Sequence, residues 1–335
     1  MSEFVKPMVS IIIVNFNGKH YLESCLSSLT KIDYDNLEII VVDNNSTDGT
    51  IEFLVQNYPS VITLKLDQNY GFAKPNNMAA KIAKGDLLLF LNNDTEVTPT
   101  FVSELVDVLL NDKQIAICQS LLLKPNGEMD SSGDFIDKIG IVYNSKEKIN
   151  EIREISSARG ASMIIRKKIF EELHGFDEKF FVSFEDVDLG WRSWIRGYKV
   201  VINPKSVVYH YGGKTHDSIK NEIAFHGLKN QLVMKITNFE PKYRINSMLK
   251  FFFVYGFREL KILLDYKFTG KTKMTSTKYE RTIAAKPSIK VIIKAVFWII
   301  TNQKYLSEKS KEISASRKVS TKELEQMNVL SDIKK

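Results

Sequence analysis

Residues 9–49 read VSIIIVNFNGKHYLESCLSSLTKIDYDNLEIIVVDNNSTDG. Two apolar, β-branched runs, 9–16 and 37–42, flank a helical pattern over 21–29. Each run has the length and continuity of a strand buried on both faces, and a helix between two such strands is the unit of a parallel sheet. The pattern repeats downstream. Residues 61–66 and 87–91 supply a third and a fourth strand, with helical patterns over 50–56 and 76–83. This β-α-β-α alternation predicts an α/β fold with a mostly parallel central sheet flanked by helices. Ligands of such sheets bind at the carboxyl ends of the strands, so the residues just past each strand carry the functional information.

The second strand is followed by Asp43-Asn44-Asn45-Ser46-Thr47-Asp48-Gly49 and the fourth by Asn92-Asn93-Asp94-Thr95. Two strand-end carboxylates suit a nucleotide-diphosphate site: one accepts hydrogen bonds from base or ribose, the other holds a divalent cation on phosphate oxygens. Asp48 and Thr95 have a plainer reading as turn residues that cap the following helices, favoured for Asp48. Asp43 and Asp94 each end a buried apolar run directly, which favours the ligand reading for them. After the third strand, Asn69-Tyr70-Gly71-Phe72 places a glycine where backbone could approach a phosphate, with Asn76 and Asn77 just beyond. No G-x-G-x-x-G and no G-x-x-x-x-G-K-[ST] occurs, which weighs against a dinucleotide cofactor and a P-loop.

Residues 124–157 are irregular and polar, consistent with a long connection carrying short strands. Helical patterns return at 167–173, 185–196 and 218–237, the last amphipathic, and strand patterns at 199–202 and 207–209. Three acids, Glu185, Asp186 and Asp188, crowd one helix start among aromatics. Ser183 could cap that helix with Asp186 three residues on, and Asp188 could pair with Arg192 at i+4. That local reading accounts for Asp188 and Arg192 but not for the crowding. His210 ends the last strand, where it is either structural or a ligand facing Asp94.

The 335 residues are 44% hydrophobic and 26% charged, which is globular composition and excludes wholesale disorder. Two cysteines exclude a disulfide framework and a cysteine-based zinc site. No apolar run reaches the ~18 residues of a membrane span. The amino-terminal residues show no secretory pattern, so a cytoplasmic location is the expectation. The net charge of +7 is uneven: residues 246–335 hold 19 basic and 8 acidic side chains, net +11, and the first 245 residues have a net charge of −4. The expected boundary lies near residue 240.

The segments VSIIIVNFN, VVDNNSTDGT, NYGFA with Asn76-Asn77, FLNNDTEV, RGASMIIRKKIFEELHGFDEKFFVSFEDVDLGWRSWIRGYKV and VVYHYGG span residues 9–213 in order. Together they resemble the family 2 glycosyltransferases, inverting enzymes of the GT-A fold, and their rhamnosyltransferase-like branch. The resemblance implies a GT-A nucleotide-diphospho-sugar transferase domain over 1–240. It implies Asp186 as the catalytic base, and donor contacts from Asn15, Asn17, Asp43, Asn69, Gly71, Asn77, Asn92 and Asn93. It further implies a Mn²⁺ or Mg²⁺ ion held by Asp94 and His210, and Glu185, Asp188 and Trp191 on the acceptor side. Two positions depart from the pattern: Asn92 stands in place of the first acid of the Asp-x-Asp metal motif, and Lys74-Pro75 stands where relatives often carry glycines.

The expected donor is a nucleotide-diphosphate sugar and the expected acceptor a hydroxyl of a glycan or polyprenyl-linked saccharide. Residues 248–264 and 291–300 are apolar pieces with interspersed or flanking lysines, so 241–306 reads as a helical, basic, membrane-associated extension at the inner face of the cell membrane. A helical subdomain packed on the catalytic part, or an oligomer contact, is the alternative. Residues 307–335 read as a polar, disordered tail. A sugar-phosphate nucleotidyltransferase is the competing enzyme, but Asn15-Phe16-Asn17-Gly18 stands where its Gly-rich basic loop would lie. A nucleic-acid-binding protein leaves the acidic strand ends unexplained, and nucleic acid is not an expected partner.

Overall fold

The computed structural model describes residues 6–212, 220–253, 279–281 and 288–332. In it, β1 (Val9–Asn15) pairs in parallel with β2 (Leu37–Asp43) and β4 (Leu87–Asn92), and β2 with β3 (Ile62–Lys65). The crossovers are α1 (Lys19–Leu29), α2 (Thr50–Asn57) and α3 (Ala73–Ile82). Side chains alternate across the sheet, so β1 feeds two cores. Ile11 and Ile13 pack with Leu22, Cys25 and Leu26 of α1, and Ile12 joins Ala79 and Ala80 of α3 on the other face. Pro75 is accommodated in the first turn of α3, where its missing N–H would have no intrahelical partner.

Beyond β4 antiparallel pairings join the parallel core of the sheet. After β5 (Thr95–Val97), α4 (Phe101–Asn111) leads to β6 (Ile115–Leu123). The polar connection then folds as β7 (Met129–Ser131), β8 (Asp134–Ile136), β9 (Val142–Ser145) and β10 (Arg153–Glu154). It delivers the chain into β11 (Ser162–Arg166), which runs antiparallel between β4 and β6. Two helices, α5 (Lys167–Glu172) and α6 (Glu185–Ile195), precede β12 (Lys199–His210), which is parallel to β6. The full order is β10-β12-β6-β11-β4-β1-β2-β3. Residues 199–202 and 207–209 are one strand interrupted by an irregularity between Asn203 and Val207. There Asn203 and Ser206 bond to α4, through the carbonyls of Glu104 and Phe101. β5 pairs with the end of β12 and sets Thr95 opposite His210, which brings Asp94 to the histidine.

The remaining elements are α7 (Lys220–Asn238), α8 (residues 241–253), β13 (Tyr279–Arg281) against β9, α9 (Ile289–Thr301), α10 (Gln303–Ala315) and α11 (Thr321–Gln326). α7 is not simply amphipathic: it buries Lys229, Asn230, Lys235 and Asn238 beside Leu228, Leu232 and Val233. Those polar groups bind other segments, as when the Lys235 ammonium donates to the Ile139 carbonyl. The apolar piece 248–264 is helical to residue 253 and then leaves the described residues.

The polar end expected to be disordered is helical instead. Ile313, Leu324, Val329 and Leu330 are buried, and Ser320 with Glu323 forms a capping box that starts α11. A few apolar side chains at helical spacing suffice to dock a polar helix. Residues 333–335 lie outside the described part.

Candidate active site

At the end of β1, Asn15 is buried. Its Nδ2 donates to the hydroxyls of Thr50 at 3.1 Å and Ser46 at 3.3 Å, and its Oδ1 accepts from Asn93 Nδ2 at 2.7 Å. Asn15 and Asn93 therefore tie the β1 and β4 ends together. Asn17 has φ 48° and accepts from the Thr47 N–H at 2.8 Å, fixing the loop after β2. Asp43 is fully buried. Its Oδ2 accepts the Ser46 N–H at 3.0 Å, while Oδ1 is buried with no hydrogen-bond partner. Asp48 accepts from the Thr50 hydroxyl at 2.6 Å and from the Lys19 N–H at 2.9 Å. It thus serves the first turns of α2 and α1 both, although it is the N-cap of neither: those positions are Gly49 and Gly18. Thr95 caps no helix; it opens β5, and its hydroxyl donates to the Asn92 carbonyl.

Asn69, Gly71 and Asn77 hold the protein's own backbone. Asn69 Oδ1 accepts the Gly71 N–H at 2.8 Å. Gly71 has φ +78°, and a Cβ there would lie 2.0 Å from the Phe181 carbonyl oxygen, which accepts the Phe72 N–H at 2.7 Å. Asn77 is buried and pairs with both the N–H and the carbonyl of Phe176. The turn after β3 is shaped to receive residues 176–181, and this explains the glycine and the asparagine without a phosphate.

Those residues lead into the acidic segment. Ser183 and Phe184 both have positive φ, 72° and 69°, so Ser183 is not the N-cap of α6. Such backbone is costly for residues with side chains and needs support from its surroundings. Asn230 of α7 supplies it, donating to the carbonyls of Val182 and Ser183.

The three acids of α6 then diverge. Asp186 is half-buried, its Oδ2 accepting the Gly160 N–H at 2.9 Å and its Oδ1 the Val187 N–H at 2.8 Å. Glu185 is beside it, with Oε2 buried and unpartnered. Asp188 turns inward and bonds Arg192 at 2.8 Å, Lys309 at 3.1 Å and Asn238 at 3.1 Å. Trp191 is buried edge-on against Phe239. Asp188 and Trp191 are therefore core groups and not acceptor contacts: two residues past Asp186 on the helix, Asp188 points away from the side on which Asp186 lines the cleft.

Asp186 and His210 line one cleft of about 300 Å³, with Asn92, Asp134, Arg159, Gly160 and Glu185 also in its walls. His210 Nε2 lies 3.5 Å from Asp94 Oδ1, and its Nδ1 is 2.9 Å from Asp130 Oδ2. Burial opposes charging the ring, but the hydrogen bonds and charges of Asp130 and Asp94 outweigh it and raise the His210 pKa to about 9. Burial pushes the Asp186 carboxyl above its usual range, against the Gly160 N–H and the Arg159 charge. Burial and then Asp186 push Glu185 well above its own. Asp134, ion-paired to Arg159 at 3.2 Å, is raised by burial to about 6.

Asp130, Asp134 and Arg159 were not singled out from the sequence. Asp130 stands 80 residues from His210 in the irregular connection, and only the pairing of both β12 and β7 with β6 joins them.

This sheet, with β2 running into Asp43, Asp94 just past β4 and the cleft beside β12, is the GT-A arrangement of glycosyltransferases. Two solved structures agree in fold. One is the mannosyltransferase PcManGT from Pyrobaculum calidifontis in complex with GDP-Man and Mn²⁺, at TM-score 0.56 and 14% identity, covering 93% of this chain and 86% of that one. The other is S. aureus TarS 1–349 in complex with UDP-GlcNAc, at TM-score 0.55 and 17% identity, covering 73% and 71%. The glycosyl transferase family 2 model matches residues 10–174, and these residues form a domain of that family.

Among curated relatives, the O-antigen biosynthesis protein RfbC of Myxococcus xanthus is 32% identical over 61% of this chain. An N-acetylglucosaminyl-diphospho-decaprenol L-rhamnosyltransferase of Mycobacterium tuberculosis is 25% identical over 63%. The matches span 17% of the first relative's length and 78% of the second's.

Proposed function

We propose that the chain is an inverting glycosyltransferase that moves a hexosyl or deoxyhexosyl group from a nucleotide-diphosphate sugar to a hydroxyl. The acceptor is a glycan or polyprenyl-linked saccharide in polysaccharide assembly, at the inner face of the cell membrane. The observation that carries this reading is one cleft lined by both Asp186 and His210, with Asp94 beside the histidine. The names of the decaprenol-linked rhamnosyltransferase and the O-antigen protein support the choice of acceptor.

A divalent cation fits the residues present. Asp94 offers an oxygen and His210 a ring nitrogen 3.5 Å apart, and Asp130 behind Nδ1 orients Nε2 toward Asp94. Among the described residues no group of three or more His, Cys, Asp or Glu forms a metal cage, so phosphate oxygens and water would complete the shell. Bound there, the cation supplies charge neutralisation on the departing diphosphate. Asp186 takes the proton of the acceptor hydroxyl as that oxygen attacks the anomeric carbon opposite the leaving group, so a single displacement inverts the centre. Its raised pKa makes it a stronger base than an ordinary aspartate. Exhaustive chelation should lower transfer by more than about a hundredfold, with Mn²⁺ or Mg²⁺ restoring it. Full activity in the chelated enzyme overturns the assignment of Asp94 and His210.

Asp43 is the nucleoside contact in this reading, because Oδ1 is an acceptor with nothing to accept from. Since Asp43 is fully buried, a nucleoside reaches it only with a local opening of the surrounding loops. Asp43→Asn keeps the bond to Ser46 through its carbonyl oxygen and places an NH2 donor at the second position. The dissociation constant of the matching nucleoside diphosphate should rise by about 10- to 100-fold by titration calorimetry, the worth of a charge-assisted hydrogen bond. An unchanged affinity removes Asp43 from the donor site.

A further inference from the structure

The inner faces of α8 and α9 join one apolar cluster with α7: Phe251 of α8 and Val291 and Ala295 of α9 are buried with Ala224, Leu228 and Leu232. The opposite faces are apolar as well. On α9, Ile289, Ile293, Phe297 and Ile300 are 77%, 63%, 64% and 63% exposed. Their spacing of four, four and three residues makes a single stripe along the helix. On α8, Ile245 and Leu249 are 70% and 67% exposed, one turn apart. Isolated apolar side chains on a surface need no explanation, but stripes on two helices of one cluster mark an interaction surface.

The charge on these helices selects the occupant. Neither residues 241–253 nor α9 contains an Asp or Glu, whereas Lys242, Lys250 and Lys290 are exposed along them; Lys294, also exposed, pairs with Glu222 of α7 at 3.0 Å. A second copy of the chain would set this cationic surface against itself, like charge facing like charge. A bilayer with anionic headgroups offers acyl chains to the stripe and opposite charge to the lysines. The geometry is that of a helix lying in the interface. α9 has 13 residues, against the ~20 needed to cross, and among the described residues no helix is long and apolar enough to span a membrane.

We propose that the outward faces of α8 and α9 are the docking surface of this protein for an anionic bilayer, with both helices in the plane of the interface. This rests on the membrane-surface part of the proposed function and is independent of its chemistry. α7 links the surface to the cleft, since its other side holds residues 179–183 through Lys229 and Asn230. A bilayer-borne acceptor is then presented within one helix layer of the segment that leads to Asp186.

The test is flotation of the full chain with vesicles of phosphatidylcholine alone or containing phosphatidylglycerol, beside the double variant Ile293→Ser, Phe297→Ser. Both substituted side chains point to solvent, so the fold and donor hydrolysis should be unchanged. The wild type should float with the anionic vesicles only, and less as salt rises. The double variant should lose at least about tenfold in partitioning, the effect of withdrawing two large apolar groups from the interface. A wild type that stays at the bottom with anionic vesicles, or a variant that floats equally well, overturns the proposal. Sedimentation showing a wild-type dimer that the variant loses, without flotation, overturns it in favour of self-association. Loss of donor hydrolysis in both proteins would instead count against the glycosyltransferase reading.

Discussion

Asp186→Asn should give a folded protein whose transfer rate is lower by about 10²- to 10⁴-fold, the usual contribution of a general base. The fold should tolerate the change. Asp186 accepts two backbone N–H groups, and an asparagine carbonyl can keep one of them, a loss of about 1 kcal/mol. Removing a carboxylate beside buried Glu185 works in the opposite direction. The urea midpoint should therefore move little, and stabilisation by nucleoside diphosphate should persist, while single-turnover transfer collapses. The wild-type pH profile supplies a second reading. Burial lifts the Asp186 carboxyl, and the Gly160 N–H and Arg159 only partly restrain it. Because the protonated acid cannot accept the hydroxyl proton, kcat/KM should fall as pH drops through a value above the ~3.9 of an ordinary Asp. A variant within about tenfold of wild-type turnover would exclude Asp186 as the base.

The strands β1, β2 and β4 were legible because each is a nearly continuous apolar run, which needs no knowledge of its neighbours; β3, ITLK, is a weaker, mostly exposed signal. Asp43 and Asp94 followed from them, since a strand end is a local property. β11 was not legible in the same way: its direction depends on where residues 124–157 return the chain, and their short polar strands carry weak periodicity. The same connection hid Asp130, whose role exists only through His210. Gly71 and Asn77 show the converse failure. A glycine and an asparagine at a strand-to-helix turn look identical from sequence whether they approach a phosphate or the Phe181 and Phe176 backbone. The i+4 pair of Asp188 and Arg192 was visible, yet its third partner, Lys309, stands 121 residues away in a stretch whose composition reads as solvated. The charge boundary near residue 240 is real in the sequence, but buried ion pairs cross it.

That crossing gives the largest expected stability effect: Lys309→Met should destabilise the protein by about 3 kcal/mol, the low end for breaking a buried ion pair from one side. Lys309 of α10 is 9% exposed, with Nζ 2.5 Å from Asp177 Oδ2 and 3.1 Å from Asp188 Oδ2. Methionine keeps the packing of the stem, so the loss is electrostatic. Asp188 retains the cation Arg192 and Asn238, whereas Asp177 retains only neutral donors, the Tyr305 hydroxyl and the Lys179 N–H; the cost falls chiefly on Asp177, which sits in the segment leading to the cleft. In the native protein burial pushes the Asp188 carboxyl up, but Arg192 and Lys309 outweigh it and hold the group below the usual carboxylate range. The stability contributed by Asp188 is then complete above ~3.9 and is lost as pH falls through its lower folded value. Urea unfolding should show a lower midpoint at unchanged slope at neutral pH, and the gap to wild type should narrow across that acid window. A loss below about 1 kcal/mol at neutral pH would mean that α10 is held by its apolar contacts alone, with the two carboxylates satisfied without Lys309.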